Sequence, residues 1–285
     1  MPSRLEAGIG NLLLVTVIAA GLSLAPAVAA PPAGTKGASF PALETALERG
    51  ALLYLYDEAA WRGSDDLTTH FAPLMPLIGG YVVSGDEAAV ELVFYDKARS
   101  KAIYRVKFAN QKMVSSGLPA GDRVGLTSVE ERLIAAHKIA TKAFEDAKVS
   151  PCNKATRNLA LLLPKSPSDP VRAYLMTPRT DMRSLPPGGH YAVDVSANGT
   201  TGPVRAYTKS CLELPFATNA KQSPEALVVC HLLDPTPTEI HVFSALTGKV
   251  KVIVATTVNQ RIWYVTGRQI LLIMEPPGKK VRKDN

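Results

Sequence analysis

Short runs of apolar, β-branched residues fill the chain between Ala226 and Met274. Five such runs are separated by turn-forming residues, namely Pro235 and Pro237, Thr247 and Gly248, residues 258–260, and Thr266 and Gly267. Runs of this length with such brief connections are typical of a β-meander. Because neighbouring parallel strands need a longer crossover, the pattern predicts five antiparallel strands and excludes a parallel pair here.

Helical spacing dominates the first half of the chain. One apolar stripe predicts a helix from Phe40 to Arg62, ended by residues 63–66; its members are Leu43, Leu47, Ala51, Tyr54 and Trp61. A second stripe follows overlapping capping boxes at residues 127–131 and predicts another helix. Three strands are expected between the helices, at 81–84, 89–96 and 101–108.

The helical period disappears after Ser150. Strands are predicted at 159–163 and 171–177, followed by a hairpin of 190–195 with 204–209 across the turn pair Asn198-Gly199. The predicted fold class is therefore α+β, with two main helices and an antiparallel sheet in the first half and a mostly antiparallel β-meander in the second. Residues 40–150 and 151–275 form either two domains or one fused domain.

The N-terminus has the pattern of an export signal. Arg4 precedes an apolar stretch, Leu12 to Leu24, and the small residues Ala27-Val28-Ala29. This order predicts a signal peptide over residues 1–29, cleaved after Ala29, and a flexible leader over residues 30–39. The expected location is the periplasm or the exterior of the cell. The alternative is an uncleaved inner-membrane anchor, because the apolar stretch is long enough to span a bilayer.

The C-terminal end contributes a large share of the formal net charge of +7. The basic tail, residues 276–285, has four cationic residues and one anionic residue, which amounts to +3 and leaves +4 for the rest of the chain. No basic stripe with stacking aromatic residues is present, so the sequence argues against a nucleic-acid partner. The tail is expected to be a free solubilising segment or to contact anionic surfaces weakly.

Three cysteines permit one disulfide and leave one free thiol. Cys152 and Cys211 lie at the ends of predicted elements, where the backbone has the freedom that a disulfide requires. Cys230 lies inside an apolar run, the usual place of a small buried hydrophobic residue. The sequence therefore predicts a Cys152–Cys211 disulfide and a free, buried Cys230.

Candidate chemistry is sparse, because nucleotide-binding, serine-hydrolase and zinc-protease motifs are absent from the sequence. If a hairpin turned at Thr236, His231, Glu239 and His241 would share one face and could bind zinc. The alternative is that these residues are ordinary polar residues at the edge of a sheet. His190 follows Gly188-Gly189, where a backbone can approach a ligand closely, and is a second candidate for ligand binding.

Three segments resemble exported proteobacterial proteins that have no assigned activity. They are Gly188-Gly189-His190-Tyr191, Lys209-Ser210-Cys211-Leu212 and the run from Pro237 to Phe243. The resemblance implies a Gram-negative envelope protein. The leading functional hypothesis is a non-enzymatic protein that binds a small ligand or an envelope partner. The rival hypotheses are a metal-assisted hydrolase built on His231, Glu239 and His241, and an accessory protein tethered by its uncleaved signal.

Overall fold

The computed structural model describes residues 41–149, 152–153, 158–181, 184–215 and 226–276. The predicted signal peptide, the leader and almost all of the basic tail lie outside the described residues. Within those ranges the α-helices are α1 (Pro41–His70), α2 (Ser128–Asp146) and α3 (Glu239–Gly248). The strands are β1 (Ile78–Gly85), β2 (Ala89–Asp96), β3 (Ala102–Ala109), β4 (Lys112–Gly117), β5 (Asn158–Leu162), β6 (Val171–Met176), β7 (Ser184–Leu185), β8 (Tyr191–Val195), β9 (Arg205–Ala206), β10 (Leu214–Pro215), β11 (Ala226–His231), β12 (Lys251–Thr256), β13 (Arg261–Val265) and β14 (Ile270–Met274).

The strands form three four-stranded sheets and one short pair. The first sheet has the order β1-β2-β3-β4, the second β5-β6-β8-β9 and the third β11-β12-β13-β14, while β10 pairs with β7. Every pairing is antiparallel except that of β11 with β12. Helices combined with mostly antiparallel sheets confirm the predicted α+β class.

The first helix is longer than its sequence pattern predicts. α1 continues through residues 63–66 to His70, and Gly63 lies against the first sheet, where a Cβ would clash with the Leu92 side chain. A glycine here permits close packing and does not end the helix. The buried face of α1 also differs from the predicted stripe, since the Trp61 side chain is 57% exposed.

The second helix begins where the capping box predicts. The Thr127 hydroxyl accepts a hydrogen bond from the Glu130 amide at 3.2 Å, and the Glu130 carboxylate accepts one from the Thr127 amide at 2.8 Å. Leu133, Ala140 and Phe144 on α2 then pack against strands of both the first and the second sheets.

The predicted five-stranded meander is wrong in its second run. Residues Glu239–Gly248 form α3, which crosses over the third sheet and allows β11 and β12 to pair in parallel. Ile240, Val242 and Ala245 are all buried, and a short helix this apolar has no polar face to reveal its period. Thr238 caps α3, and Lys249 ends it in the left-handed conformation with φ of 52°. The apolar composition of this run is also typical of a buried strand, which is why the sequence pattern predicts a strand here.

The buried residues join the two halves of the chain. One cluster combines Leu53 of α1 and Leu92 of β2 with Tyr174 of β6 and Ile240 of α3. All described residues belong to one compact unit. In this part of the chain, no helix has the length and apolarity needed to cross a bilayer.

The predicted disulfide between Cys152 and Cys211 is confirmed, with a Cα–Cα distance of 5.3 Å. Cys230 is free as predicted, but its predicted burial is wrong because its side chain is exposed. Alternation along β11 directs Leu227, Val229 and His231 inward and leaves Val228 and Cys230 facing outward.

Candidate functional site

His190 lies at the start of β8, and both of its ring nitrogens have partners. Nδ1 accepts a hydrogen bond from the Thr177 amide at 3.2 Å, and Nε2 lies 2.6 Å from the Pro186 carbonyl oxygen. Its side chain is 1% exposed, and burial lowers its pKa to about 4. A neutral imidazole engaged with the backbone through both nitrogens fixes the surrounding turn, and ligand binding at His190 stays a prediction.

His231 and His241 do lie side by side, with ring centroids 4.8 Å apart and an edge-on geometry. The proximity arises because α3 starts soon after β11 and folds back over it. The predicted hairpin register is therefore wrong, although it places the same two rings together. His231 Nε2 lies 2.8 Å from the Asp234 carboxylate, and Asp234 also accepts hydrogen bonds from Arg205 at 2.9 Å.

The electrostatics of this pair favour a neutral His241. Its Nδ1 accepts a hydrogen bond from the Thr238 amide at 3.0 Å, and burial lowers its pKa to about 3. Burial acts to raise the pKa of Asp234, but the hydrogen bond from His231 and the charge of Arg205 outweigh it and hold that pKa below its usual range. The cluster thus contains a buried, neutral His241 and an ionised Asp234 carboxylate that is hydrogen-bonded to His231.

Glu239 does not join the histidines. Its Oε1 accepts hydrogen bonds from the Tyr174 and Tyr207 hydroxyls, at 2.9 and 2.5 Å. Across the described ranges, no group of three or more histidine, cysteine, aspartate or glutamate side chains is placed to hold a metal. His231, Glu239 and His241 as arranged do not fit a shared zinc ion, and no chemical step follows from one. The zinc hypothesis stays a prediction that metal titration can test.

Instead, Glu239 belongs to a buried ionic network centred on Arg172 of β6. Arg172 donates to both Asp194 carboxylate oxygens at 2.9 Å and to the Tyr174 and Tyr207 hydroxyls at 3.1 and 3.2 Å. Its Nε also lies 3.7 Å from Glu239 Oε1. A guanidinium held by this many partners has a fixed position.

The protonation states in this network follow from burial. Burial raises the pKa of both Tyr174 and Tyr207, and the nearby Glu239 carboxylate raises them further. Burial alone acts to lower the pKa of Arg172, but the tyrosine oxygens and Asp194 outweigh it and hold that pKa above its usual value. At neutral pH the tyrosines are therefore hydrogen-bond donors and Arg172 is a fixed cation.

A cleft of about 280 Å³ opens beside this network, and we call it the Arg49–Arg172 cleft. Arg49 of α1 lines it with its side chain 39% exposed, and its ion pair with Glu239 is long, at 3.9 Å. The other side chains combine charged and apolar groups; they are Thr45, Glu48, Leu52, Leu162, Leu163, Pro164, Lys165, Asp169, Pro170 and Asp194. Lys165 and Glu48 form an exposed ion pair at 2.7 Å.

One feature of the sequence, the position of Arg172 in β6, indicates the buried ionic network, although the strand prediction alone does not include it. In β6, Arg172 alternates with Val171 and Ala173 and so shares a face with Tyr174. An arginine on the same face as a buried tyrosine needs a buried anionic partner. The register supplies Asp194 directly opposite it on β8, but Glu239 comes from a distant helix that no local pattern predicts.

Comparison with known protein families, with curated proteins and with solved structures gave no match for this chain.

Proposed function

We propose that this chain is an exported, non-enzymatic protein that binds a small zwitterion of about amino-acid or dipeptide size in the Arg49–Arg172 cleft. The observation that carries the proposal is Arg49, which lines the cleft and, among the residues that the structure describes, has only a 3.9 Å ion pair to Glu239. A guanidinium presents five donors in a planar fork that matches a carboxylate. Arg49 therefore has donors to offer a ligand.

The lining of the cleft supports a zwitterion over a simple anion. Asp169 and Asp194 line the same cleft as Arg49 and Lys165, so cationic and anionic ligand groups both meet opposite charge there. Leu52, Leu162 and Pro170 supply apolar surface for a short side chain. The volume of about 280 Å³ is close to the lower end of small-molecule sites. Because Arg172 and Glu239 are already held in place, little ordering accompanies binding.

Export is part of the same proposal. Its support is the signal-like sequence of residues 1–29 and the Cys152–Cys211 disulfide, since disulfides persist in oxidising compartments. The resemblance to exported proteobacterial proteins agrees with this location. N-terminal sequencing of the periplasmic fraction should give a chain that starts at Ala30. An intact Met1 in the membrane fraction would instead favour the tethered accessory protein.

Isothermal titration calorimetry with the dipeptide Ala-Ala tests binding in the cleft. We expect micromolar affinity for the wild type. Arg49→Gln should weaken binding by roughly tenfold to a hundredfold, because a hydrogen bond to a charged group contributes about 1.5–3 kcal/mol. The amide Ala-Ala-NH2, which lacks the carboxylate, should show a similar loss with the wild type.

The matched control is Arg62→Gln, which removes an arginine from the same helix, roughly 20 Å further along its axis. This variant should bind Ala-Ala as the wild type does. Binding that is absent in the wild type, or equally weakened in both variants, would mean that the cleft network has a purely structural role.

A further inference from the structure

A groove runs along one side of α1, between the turn that joins β1 to β2 and the turn that joins β13 to β14. It contains two neighbouring cavities of about 530 and 400 Å³. Leu47 and Leu52 line the first cavity, Tyr54 and Leu55 line the second, and Ala51 lines both. Because they share Ala51, the two cavities form one continuous depression, which we call the α1 groove.

An ion pair between the two turns lies at the junction of the cavities. Arg268 Nη1 is 3.1 Å from Glu87 Oε1, and both residues line both cavities. The two side chains are 63% and 56% exposed, so water competes for both charges and the pair is easily broken. A ligand that extends along α1 can therefore displace this pair and pass over Ala51, whose side chain is a single methyl group.

The two cavities have opposite charge. Besides the ion pair, Glu48 and Asp86 line the first cavity, and Lys249 and Lys251 line the second. All four side chains belong to exposed residues. Glu48 has Lys165 as a partner at 2.7 Å, whereas neither lysine of the second cavity is in an ion pair within the part of the chain that the structure describes. The groove thus has an acidic end and a basic end.

The surface between the charged ends is apolar, and its length suits a short extended peptide. Leu47 and Leu55 of α1 supply this surface together with Leu246 and Val250. Glu48 and Leu55 are separated by about two turns of α1, or roughly 10 Å along its axis. Three residue steps of an extended peptide cover about the same distance, at roughly 3.3 Å per residue.

We propose that the α1 groove binds an extended peptide segment of a partner protein in which a cationic side chain lies three positions from an anionic one. The cationic side chain lies at Glu48 and Asp86, and the anionic one at Lys249 and Lys251. Such a peptide meets opposite charge at both ends. The chain's own basic tail does not match, because residues 279–284 have four cationic side chains and one anionic one and would bring like charge to the basic end.

The inference goes beyond the dipeptide cleft and does not depend on it. Glu48 and Leu52 line both sites, but Ala51 and Lys251 line the α1 groove and not the cleft. Variants at these two positions should therefore bind Ala-Ala as the wild type does. The two proposals can consequently fail separately.

The test is isothermal titration calorimetry of the full mature chain with acetyl-Lys-Ala-Ala-Glu-amide at low ionic strength. The blocked termini remove the main-chain charges on which binding in the cleft depends. We expect saturable binding that weakens as salt is added, because the charges in the groove are exposed. The uncharged analogue acetyl-Gln-Ala-Ala-Gln-amide should bind about tenfold more weakly, because it lacks both ion pairs.

Two variants test the groove itself. Ala51→Leu should lower the affinity for the charged probe by about tenfold, because a larger side chain fills the passage between the cavities. Lys251→Gln should lower it by about threefold, because it removes one exposed ion pair. Ala42→Leu is the matched control, since Ala42 is exposed near the start of α1 and outside the groove. It should bind the probe as the wild type does, and so should Arg49→Gln.

Equal affinities for the charged and uncharged probes would overturn the proposal, as would equal affinities in Ala51→Leu and Ala42→Leu. Wild-type affinity for acetyl-Lys-Ala-Ala-Lys-amide would also overturn it, because the basic end would then take no part. A loss of probe binding in Arg49→Gln would place the peptide in the cleft instead. Tighter binding of a peptide with the sequence of residues 277–285 would assign the groove to the chain's own tail, and either result would contradict the proposal.

Discussion

Glu130 of α2 links a helix cap to a buried ion pair. Its carboxylate closes the capping box at Thr127 and also accepts hydrogen bonds from Arg105 of β3 at 2.6 and 3.0 Å. The side chains of Arg105 and Glu130 are 7% and 5% exposed. The sequence predicts the cap, because Thr127 and Glu130 are three residues apart. It does not predict Arg105, because that partner is 25 residues away and comes from a sheet.

Removal of Glu130 should therefore be costly. We expect Glu130→Ala to lower the free energy of unfolding by about 3 kcal/mol, because it leaves a buried guanidinium without its main partner and removes a cap contact. Glu130→Gln keeps a hydrogen-bond acceptor and should lose roughly half as much. Urea denaturation measures both losses, with exposed Glu131→Gln as the control. A Glu130→Ala protein as stable as that control would show that the ion pair contributes nothing.

His241 should make the protein sensitive to mild acid. Its pKa is about 3 in the folded protein and about 6.5 in an unfolded chain, so the unfolded chain binds the proton first as the pH falls. The stability of the fold is therefore highest above pH 6.5 and falls progressively toward pH 3. At pH 5 the loss of unfolding free energy due to His241 is about 2 kcal/mol. His190, with a pKa of about 4, adds an effect of the same sign.

His241→Asn separates this effect from that of the carboxylates. An asparagine oxygen can still accept the hydrogen bond from the Thr238 amide, but the side chain does not titrate. Between pH 7 and pH 5 this variant should lose about 2 kcal/mol less than the wild type in urea denaturation. His70→Asn, at the exposed end of α1, should lose as much as the wild type. An unchanged pH dependence in His241→Asn would contradict the assignment.

Sequence patterns failed to predict α3, and they also missed the strand β4. The apolar residues of α3 are surrounded by α1 and the third sheet, and a helix buried on all sides has the composition of a buried strand. The other regular elements with strong local signals, such as the cap of α2 and the turn Asn198-Gly199, were predicted within a few residues. The ionic network around Arg172 could not be predicted because it needs the true position of α3, which brings Glu239 to Arg172.

Gly50 of α1 lies at the point where α3 packs closely against α1, and the absence of a side chain there allows the short distance between the helices. A Cβ at residue 50 would lie 2.5 Å from Val242 Cβ and 2.7 Å from the Glu239 carbonyl oxygen. We expect Gly50→Ala to lower the free energy of unfolding by about 2 kcal/mol, although alanine favours a helix, because the two helices must separate. The displacement also shifts Glu239, so affinity for Ala-Ala should fall.

Gly125→Ala provides the comparison, since its nearest neighbour to an added Cβ is the Asp122 carbonyl oxygen at 3.7 Å, an ordinary contact. This variant should match the wild type in both urea denaturation and calorimetry. A Gly50→Ala protein with wild-type stability would mean that α1 and α3 can separate at no cost.

At the scale of the whole molecule, α1 joins the buried clusters. Leu53 and Leu67 contribute to the cluster shared by the first and second sheets, and Leu43 and Leu47 pack against the cluster under the third sheet. The sequence left open whether residues 40–150 and 151–275 are separate domains. The shared clusters make independent unfolding of the third sheet costly, because its loss would expose one end of α1.

We therefore expect the third sheet and the helices to unfold together. Of the two tryptophans, Trp263 of β13 is 1% exposed and Trp61 is 57% exposed, so a Trp61→Phe variant makes fluorescence report the third sheet alone. In urea under non-reducing conditions, the midpoint from this fluorescence should coincide with the midpoint from far-UV circular dichroism at 222 nm, roughly as for a single two-state domain. An earlier fluorescence midpoint would show that β11–β14 unfold separately, and that α1 does not couple the third sheet to the cleft.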